Sequence, residues 1–142
     1  NYKQYDEISS YQSQFDWVCA NVDMNNSGIP EPAEYKTITV DGLRVTFLGL
    51  VETNGKDNDI IPSTHPWRVK NLTFEKYQNV IGNYAELKET ENSDVYVALT
   101  HLGESTDFNI ANNYPYFDLI IDNDIGSNYD FGELYKKLET IL

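Results

Sequence analysis

A chain of 142 residues is long enough for one domain with a hydrophobic core, and 40% apolar and 13% aromatic residues are ordinary for a folded protein. The net charge of −13, with only 10 basic residues, offers no basic surface for nucleic acid and opposes binding to anionic membranes. The single cysteine, Cys19, excludes an intrachain disulfide, and no stretch approaches the roughly 18 apolar residues that span a bilayer.

The first part of the chain predicts a strand and a β-hairpin. Residues 4–14 are polar and weakly helical, and residues 15–22 have the apolar character of a buried strand. The dipeptide Asp41-Gly42 separates Tyr35–Val40 from Leu43–Val51, which is a strong signal for a hairpin turn. The second arm becomes continuously apolar, as expected of a central strand.

The middle of the chain predicts a long excursion followed by a helix. Residues 52–70 are polar and contain two prolines, which indicates an irregular segment of a kind that is often functional. Asn71 or Thr73 can then cap a helix that runs to about Lys88. Its predicted apolar face consists of Phe74, Tyr77, Val80, Ile81, Tyr84 and Leu87.

The last part alternates strands and helices. Residues 95–99 and 117–121 have the character of buried strands, residues 107–113 suit a short helix, and residues 131–142 predict a final amphipathic helix. Helices between apolar strands indicate β-α-β connections. We therefore predict an α/β fold, with mixed sheet layers flanked by helices, in a single domain over residues 1–142.

The candidate site residue is His101, which ends the strand predicted for residues 95–99 after Thr100. Ligands of α/β sheets lie outside the carboxyl ends of the strands, where a neutral imidazole can bind a metal ion. The alternative is that His101 only makes a hydrogen bond in a loop. His65 and the acidic pair Asp57/Asp59 are interpreted as solvated loop residues.

Several segments in this order carry a resemblance to a known family. They are Cys19-Ala20-Asn21-Val22, the hairpin, the Gly49-containing strand, Thr100-His101-Leu102-Gly103 within residues 93–103, and Phe117-Asp118-Leu119-Ile120-Ile121. Together they resemble the calcineurin-like metallophosphoesterase domain of the bacterial 5′-nucleotidase family. The resemblance covers roughly residues 15–121.

The resemblance implies a four-layer αββα fold that holds two divalent metal ions, such as Mn, Zn or Mg. It implies that His101 is a metal ligand and that the substrate is a small phosphate ester or nucleotide. It also favours a periplasmic, secreted or cell-surface location. Such a metal pair activates a water molecule for attack on the ester.

The sequence departs from the family at most of its metal ligands. The first two ligand motifs are absent, and Asp122-Asn123-Asp124 stands where the family has a Gly-Gly-His-Thr-His motif. Asp124 takes the place of the first of those histidines, and its carboxylate is either a second metal ligand or part of a polar turn. With so few ligands, we expect this chain by itself to be impaired or inactive. The alternative is a non-enzymatic binding or scaffold module of the same fold.

The order of the segments is also unusual. Residues 128–132, Asn-Tyr-Asp-Phe-Gly, resemble a family segment that normally precedes the strand ending in Val22. Joining residue 142 to residue 1 restores the family order, which suggests a rearranged or circularly permuted phosphoesterase piece. This hypothesis predicts that residues 1 and 142 lie close together. The alternative is an ordinary helix start at this position.

Overall fold

The structure is a computed structural model that describes residues 15–55 and 59–123. The predictions for residues 4–14 and 131–142, and for the distance between residues 1 and 142, lie outside the described residues. The elements are β1 (Val22–Asp23), β2 (Tyr35–Val40), β3 (Leu43–Val51), β4 (Thr73–Phe74), α1 (Tyr77–Val80), α2 (Leu87–Thr90), β5 (Val95–His101), α3 (Glu104–Asn113) and β6 (Leu119–Asp122).

The predicted hairpin is confirmed. Strands β2 and β3 pair antiparallel, with Val40 opposite Leu43 and Tyr35 opposite Leu48. Asp41 and Gly42 have φ angles of 51° and 86°, so both central residues are in the left-handed region that a two-residue hairpin turn requires. The turn therefore fixes the register of the arm that becomes the centre of the sheet.

A four-stranded sheet of order β2-β3-β5-β6 forms the body of the described region. The strand β3 pairs parallel with β5, and β5 pairs parallel with β6, so the carboxyl ends of these three strands lie at one edge. The connection from β3 to β5 contains α1 and α2, and the connection from β5 to β6 contains α3. The predicted β-α-β connections and the α/β fold with helices beside mixed sheets are therefore confirmed. A separate two-stranded sheet joins β1 to β4.

The strand predicted for residues 15–22 is wrong for all but its last residue. The segment makes an isolated bridge from Val18 to Ala33, and Phe15 and Trp17 remain 65% exposed. The segment contacts β3 near Gly49 without pairing along it, and the Ala20 N–H donates to the Gly49 carbonyl oxygen at 2.8 Å. Close packing of this backbone on β3 leaves room only for glycine at position 49.

The single helix predicted for residues 71–88 is also wrong. Neither Asn71 nor Thr73 caps a helix, because Thr73–Phe74 is the strand β4, and the remainder consists of α1, a 3₁₀ turn over Ile81–Tyr84, and α2. The predicted apolar face is nevertheless turned inward, with Phe74, Val80, Ile81 and Leu87 buried. The predicted apolar face is therefore buried although the helix is interrupted.

The core lies between this broken helical segment, α3 and one face of the sheet. Tyr96 is fully buried, its hydroxyl donates to the Tyr84 carbonyl oxygen at 3.0 Å, and its ring packs on Phe117. Desolvation is the main cause that raises the pKa of Tyr96, so its phenol stays neutral. The buried cluster comprises Leu48, Leu50, Val80, Ile81, Leu87, Tyr96, Leu102 and Ile110.

Two further features concern the described part of the chain as a whole. Cys19 is half-buried, and burial raises the pKa of its thiol. None of the helices among residues 15–55 and 59–123 is long and apolar enough to cross a membrane.

Candidate metal centre at the carboxyl end of the sheet

His101 is the last residue of β5 and is exposed at the carboxyl edge of the parallel strands. It lies opposite Val51 of β3 in the strand register, and the Glu52 N–H donates to its carbonyl oxygen at 2.9 Å. The backbone of His101 is therefore held by the neighbouring strand while its side chain reaches solvent. This is the position that the sequence predicts for a ligand of an α/β sheet.

The imidazole of His101 is oriented by one hydrogen bond. Its Nδ1 lies 3.1 Å from the carbonyl oxygen of Asn123, which directly follows β6. Because a carbonyl oxygen only accepts, Nδ1 must carry the proton, and the lone pair of the neutral ring then resides on Nε2. Metal-binding histidines are commonly held in this way by a backbone carbonyl. The geometry thus suits one nitrogen ligand.

The carboxylate of Glu52, which follows β3 beside the end of β5, already accepts hydrogen bonds within its own loop. It accepts hydrogen bonds from the backbone N–H groups of Asn54 at 2.6 Å and Ser63 at 2.5 Å. These contacts fold the loop that follows β3 back on itself. Glu52 therefore serves the loop, and using it as a metal ligand would release two backbone donors.

The residues that the structure describes do not form a complete metal site. Among residues 15–55 and 59–123, no group of three or more His, Cys, Asp or Glu side chains could hold a metal ion. Asp124, the predicted second ligand, lies outside the described residues. His101 fits the role of one ligand, and the described donor set does not hold a divalent ion by itself.

A second acidic residue near this edge, Asp107 of α3, has a buried carboxyl group. Each of its carboxyl oxygens exposes less than 1 Å², and among residues 15–55 and 59–123 no donor makes a hydrogen bond of ordinary geometry to either of them, although the Thr100 hydroxyl lies nearby. Burial is the main cause that raises its pKa to about 6, and the negative charge of Asp122 raises it further, whereas the nearby Thr100 hydroxyl lowers it. Sequence reasoning missed this group, since an acid within a helix is ordinarily solvated.

A cleft of about 360 Å³ opens beside the ends of β3 and β5. Its walls come from the loop after β3, from the start of α1 and from the residues that lead into α3. The lining residues are Glu52, Thr53, Asn54, Gly55, Asp59, Ile60, Lys76, Tyr77, Gln78, Leu102 and Thr106. His101 is not among them, so the cleft and the candidate ligand are separate features of the same edge.

The other candidates from the sequence belong to the long polar segment that follows β3. His65 is exposed in the irregular segment, 6.5 Å from Trp67 between ring centres, and Asp59 is exposed in the same loop. Asp57 lies outside the described residues. His65 is therefore a loop residue, as predicted.

Asn21 has a structural role that sequence reasoning missed. Its amide is 2% exposed, donates to the carbonyl oxygens of Val51 and Glu75 at 2.8 Å each, and accepts from the Val51 N–H at 2.9 Å. It ties the end of β3 to the residue after β4. The Ala-Asn-Val motif was a signal of ancestry, and the structure explains why an amide is needed there.

The fold is similar to part of the fold of 5′-nucleotidases of known structure, which confirms the resemblance at the level of the fold. NAD nucleotidase (NadN) from Haemophilus influenzae is similar at 23% identity and a TM-score of 0.63, over 88% of this chain and 24% of its own. The 5′-nucleotidase precursor from Thermus thermophilus is similar at 22% identity and a TM-score of 0.63, over 78% of this chain and 21% of its own.

A sulfate thiohydrolase, SoxB from Thermus thermophilus, has a similar fold, with 16% identity, a TM-score of 0.64, and coverage of 84% of this chain and 21% of its own. The chain thus spans about a quarter or less of the length of these proteins. No protein-family profile and no curated protein sequence matches it.

Proposed function

We propose that this chain is part of a metal-dependent phosphoesterase of the 5′-nucleotidase type, whose substrate is a small phosphate ester or nucleotide. The observation that supports it most is His101, exposed at the carboxyl end of a parallel strand with Nε2 left available, in a fold shared with nucleotidases. A bound pair of divalent ions would supply an activated water and charge neutralisation for the phosphoryl group.

The charge of the chain is consistent with a need for such ions. A phosphate ester is repelled by a protein of net charge −13, and a divalent cation at the site would reverse the local field. His101 is proposed as one ligand and Asp124 as a second. Together they fall short of the three or more protein ligands of a tight site, so we expect weak metal binding and slight activity.

A second candidate is a non-enzymatic module of the same fold. The observation in its favour is that the described residues bring no three metal-ligating side chains together. In this case the exposed His101 would be a surface residue at a strand end.

Metal titration distinguishes the two functions. A ligand that binds only the native state raises the melting temperature, and the rise grows with its concentration above the dissociation constant. We expect Mn²⁺ or Zn²⁺ to raise the melting temperature of the wild-type chain, and His101→Ala to abolish the rise. His65→Ala, the other histidine of the chain, is the matched control and should keep the rise.

The second ligand and the activity need separate measurements. Asp124→Ala should reduce the metal-induced rise without abolishing it, and hydrolysis of a nucleoside monophosphate should require added metal. If the melting temperature is insensitive to both metals, or if His101→Ala responds as the wild type does, the module is the better description.

We further propose that residues 1–142 form one domain and that it lies outside the cytoplasm, as the resemblance favours. Energy transfer between dyes at residues 1 and 142 tests the permuted arrangement. Transfer that corresponds to termini a few residues apart supports it, and weak transfer rejects it.

A further inference from the structure

Asp107 has an environment that suits a neutral carboxyl group better than a carboxylate. Both of its oxygens are shielded from solvent, and no donor from the described residues makes a hydrogen bond of ordinary geometry to them. Thr100, which is 1% exposed, directs its hydroxyl to the Ile121 carbonyl oxygen at 3.3 Å. An ionised carboxylate in such a place lacks both water and a compensating hydrogen bond, which is costly.

The groups that face Asp107 come from several elements. Asp122 at the end of β6 presents a like charge, and Tyr77 of α1 lies near enough for the charge of Asp107 to contribute to the raised pKa of the phenol. Among the residues that the structure describes, no cationic side chain contributes to the shift in the pKa of Asp107. The charged and phenolic groups that face it therefore favour a bound proton over a negative charge.

A proton fits this place better than a metal ion does. No three metal-ligating side chains converge within the described ranges 15–55 and 59–123, so a cation would find too few ligands at Asp107. A protonated carboxyl group, in contrast, carries no charge, so burial costs it less than it costs a carboxylate and it needs no set of ligands around it.

The position of Asp107 connects this proton to the attachment of α3. The helix follows β5 after only Leu102 and Gly103, and its buried contact with the core is Ile110. Gly103, the N-cap residue, has no side chain that could cap the helix, so the first turn is held by its backbone hydrogen bonds to the Gly103 carbonyl oxygen and by packing. Asp107 lies in the first turn, close enough to Thr100 of β5 and Asp122 of β6 for both to affect its pKa.

We propose that Asp107 is a proton-binding site that locks helix α3 onto the carboxyl ends of β5 and β6, and that loss of the proton loosens the helix. The lock goes beyond the proposed function and does not depend on it, since no metal or substrate takes part. The pH therefore determines how firmly α3, which follows His101, is held against the sheet.

Amide hydrogen exchange of the full chain tests the lock. From about pH 5 to about pH 7.5, protection factors of the α3 amides should fall about tenfold, because one pKa unit corresponds to a tenfold change in an equilibrium. Protection in the β2–β3 hairpin should stay constant. Asp107→Asn, which keeps the size and cannot ionise, should make α3 protection independent of pH. Asp59→Asn, at an exposed acid, should behave as the wild type does.

A direct titration keeps the proposal falsifiable if Asp107→Asn does not fold. The ¹³C shift of the Asp107 carboxyl group in the wild-type chain should titrate with a midpoint near 6. A midpoint near the ordinary value for aspartate overturns the proposal, as does α3 protection that is equal at both pH values. A melting temperature at about pH 7.5 that Ca²⁺ raises in the wild type and not in Asp107→Asn also overturns it, in favour of a cation site.

Discussion

The two ends of the parallel strands are stabilised by different kinds of contact. At the amino end, acidic side chains have donors: Glu91 accepts from the hydroxyls of Tyr35 and Thr37 at 3.0 Å each, and Asp94 accepts from the Arg44 N–H at 2.7 Å. At the carboxyl end, the acid Glu52 accepts only from the loop that follows it, and the strands themselves are joined by backbone contacts such as the 2.6 Å hydrogen bond from the Asn123 N–H to the Thr100 carbonyl oxygen.

This difference explains why the side chains that are free for a functional role lie at the carboxyl end of the strands. Since backbone contacts and Asn21 hold the strands together at the carboxyl end, the side chain of His101 is not needed to join them, and Asp107 affects the attachment of α3 and not the pairing of the strands. The amino end, in contrast, uses its acids to satisfy buried donors. A functional site can therefore be altered at one end without unfolding the sheet, and the experiments below test this division.

The largest effect is expected from Gly49→Ala, which tests the backbone contacts at the carboxyl end. The added Cβ would overlap the Val18 carbonyl group and approach the Cys19 nitrogen at 2.9 Å, so one backbone must shift. We expect a loss of roughly 3 kcal/mol in the free energy of unfolding, measured with urea. Gly82→Ala, where a Cβ meets open space, is the control. Equal stabilities of the two variants would contradict the close approach.

The next largest effect is expected at the amino end, from Asp118→Ala. Asp118 accepts from the buried Tyr96 N–H at 2.7 Å and pairs with Lys88 at 2.6 Å. Its removal leaves a buried donor unsatisfied, and we expect a loss of about 2 kcal/mol in urea unfolding. Asp118→Asn keeps an acceptor and should lose less. If both variants match the wild type, side-chain acids do not hold this end.

The pH dependence of stability gives a smaller effect. The pKa of Asp107 is raised to about 6 from 3.8, so the folded state binds the proton more tightly than the unfolded state does. Its contribution is complete below pH 3.8 and is lost as pH rises through about 6. Because Asp107 as a whole residue is only half-buried, even though its carboxyl oxygens are shielded, we expect a loss on the order of 1 kcal/mol between about pH 5 and about pH 7.5.

Thr100→Val sharpens this pH experiment. The Thr100 hydroxyl lowers the pKa of Asp107, so its removal should move the loss of stability to higher pH. Thr37→Val, at the opposite end of the sheet, removes a comparable hydroxyl and should leave the pH dependence unchanged. Urea midpoints across the pH range measure both variants. A shift in the control of the same size would show that the effect is not specific to Asp107.

The smallest effect is expected from His101→Ala without metal. The side chain is exposed and makes one hydrogen bond, so the free energy of unfolding should change by less than about 0.5 kcal/mol. A urea titration measures the change. A loss comparable to that of Asp118→Ala would mean that His101 has a structural role, and the division between the two ends would fail.

Some elements were predictable because local chemistry decides them. Asp41-Gly42 specifies a turn with two left-handed residues, and the continuous apolar run of β3 requires burial on both faces. The helix predicted for residues 71–88 failed because β1 offers Thr73–Phe74 a pairing partner, which a helical periodicity cannot reveal. The burial of its apolar face was still correct, since burial depends on the pattern more than on helix continuity.

The candidate site also has one part that the sequence predicts and another that only the pairing of strands decides. His101 could be identified from the sequence, because a histidine at the end of an apolar strand is a local pattern that the Thr-His-Leu-Gly resemblance strengthens. Its hydrogen bond to Asn123, which determines the tautomer, depends on the pairing of β5 with β6. Asp124 stays a prediction.

The amino-acid sequence was enough to establish the hairpin, the apolar strands and the residue that ends the central one, because each depends on neighbours within a few positions. The three-dimensional arrangement was needed to show that Gly49 must lack a side chain, that Asn21 joins three backbone groups, and that the Asp107 carboxyl group is buried. Each of these depends on segments that are distant in sequence and adjacent in space. Burial is set by such contacts, and burial is the main cause that raises the pKa of Asp107 to about 6.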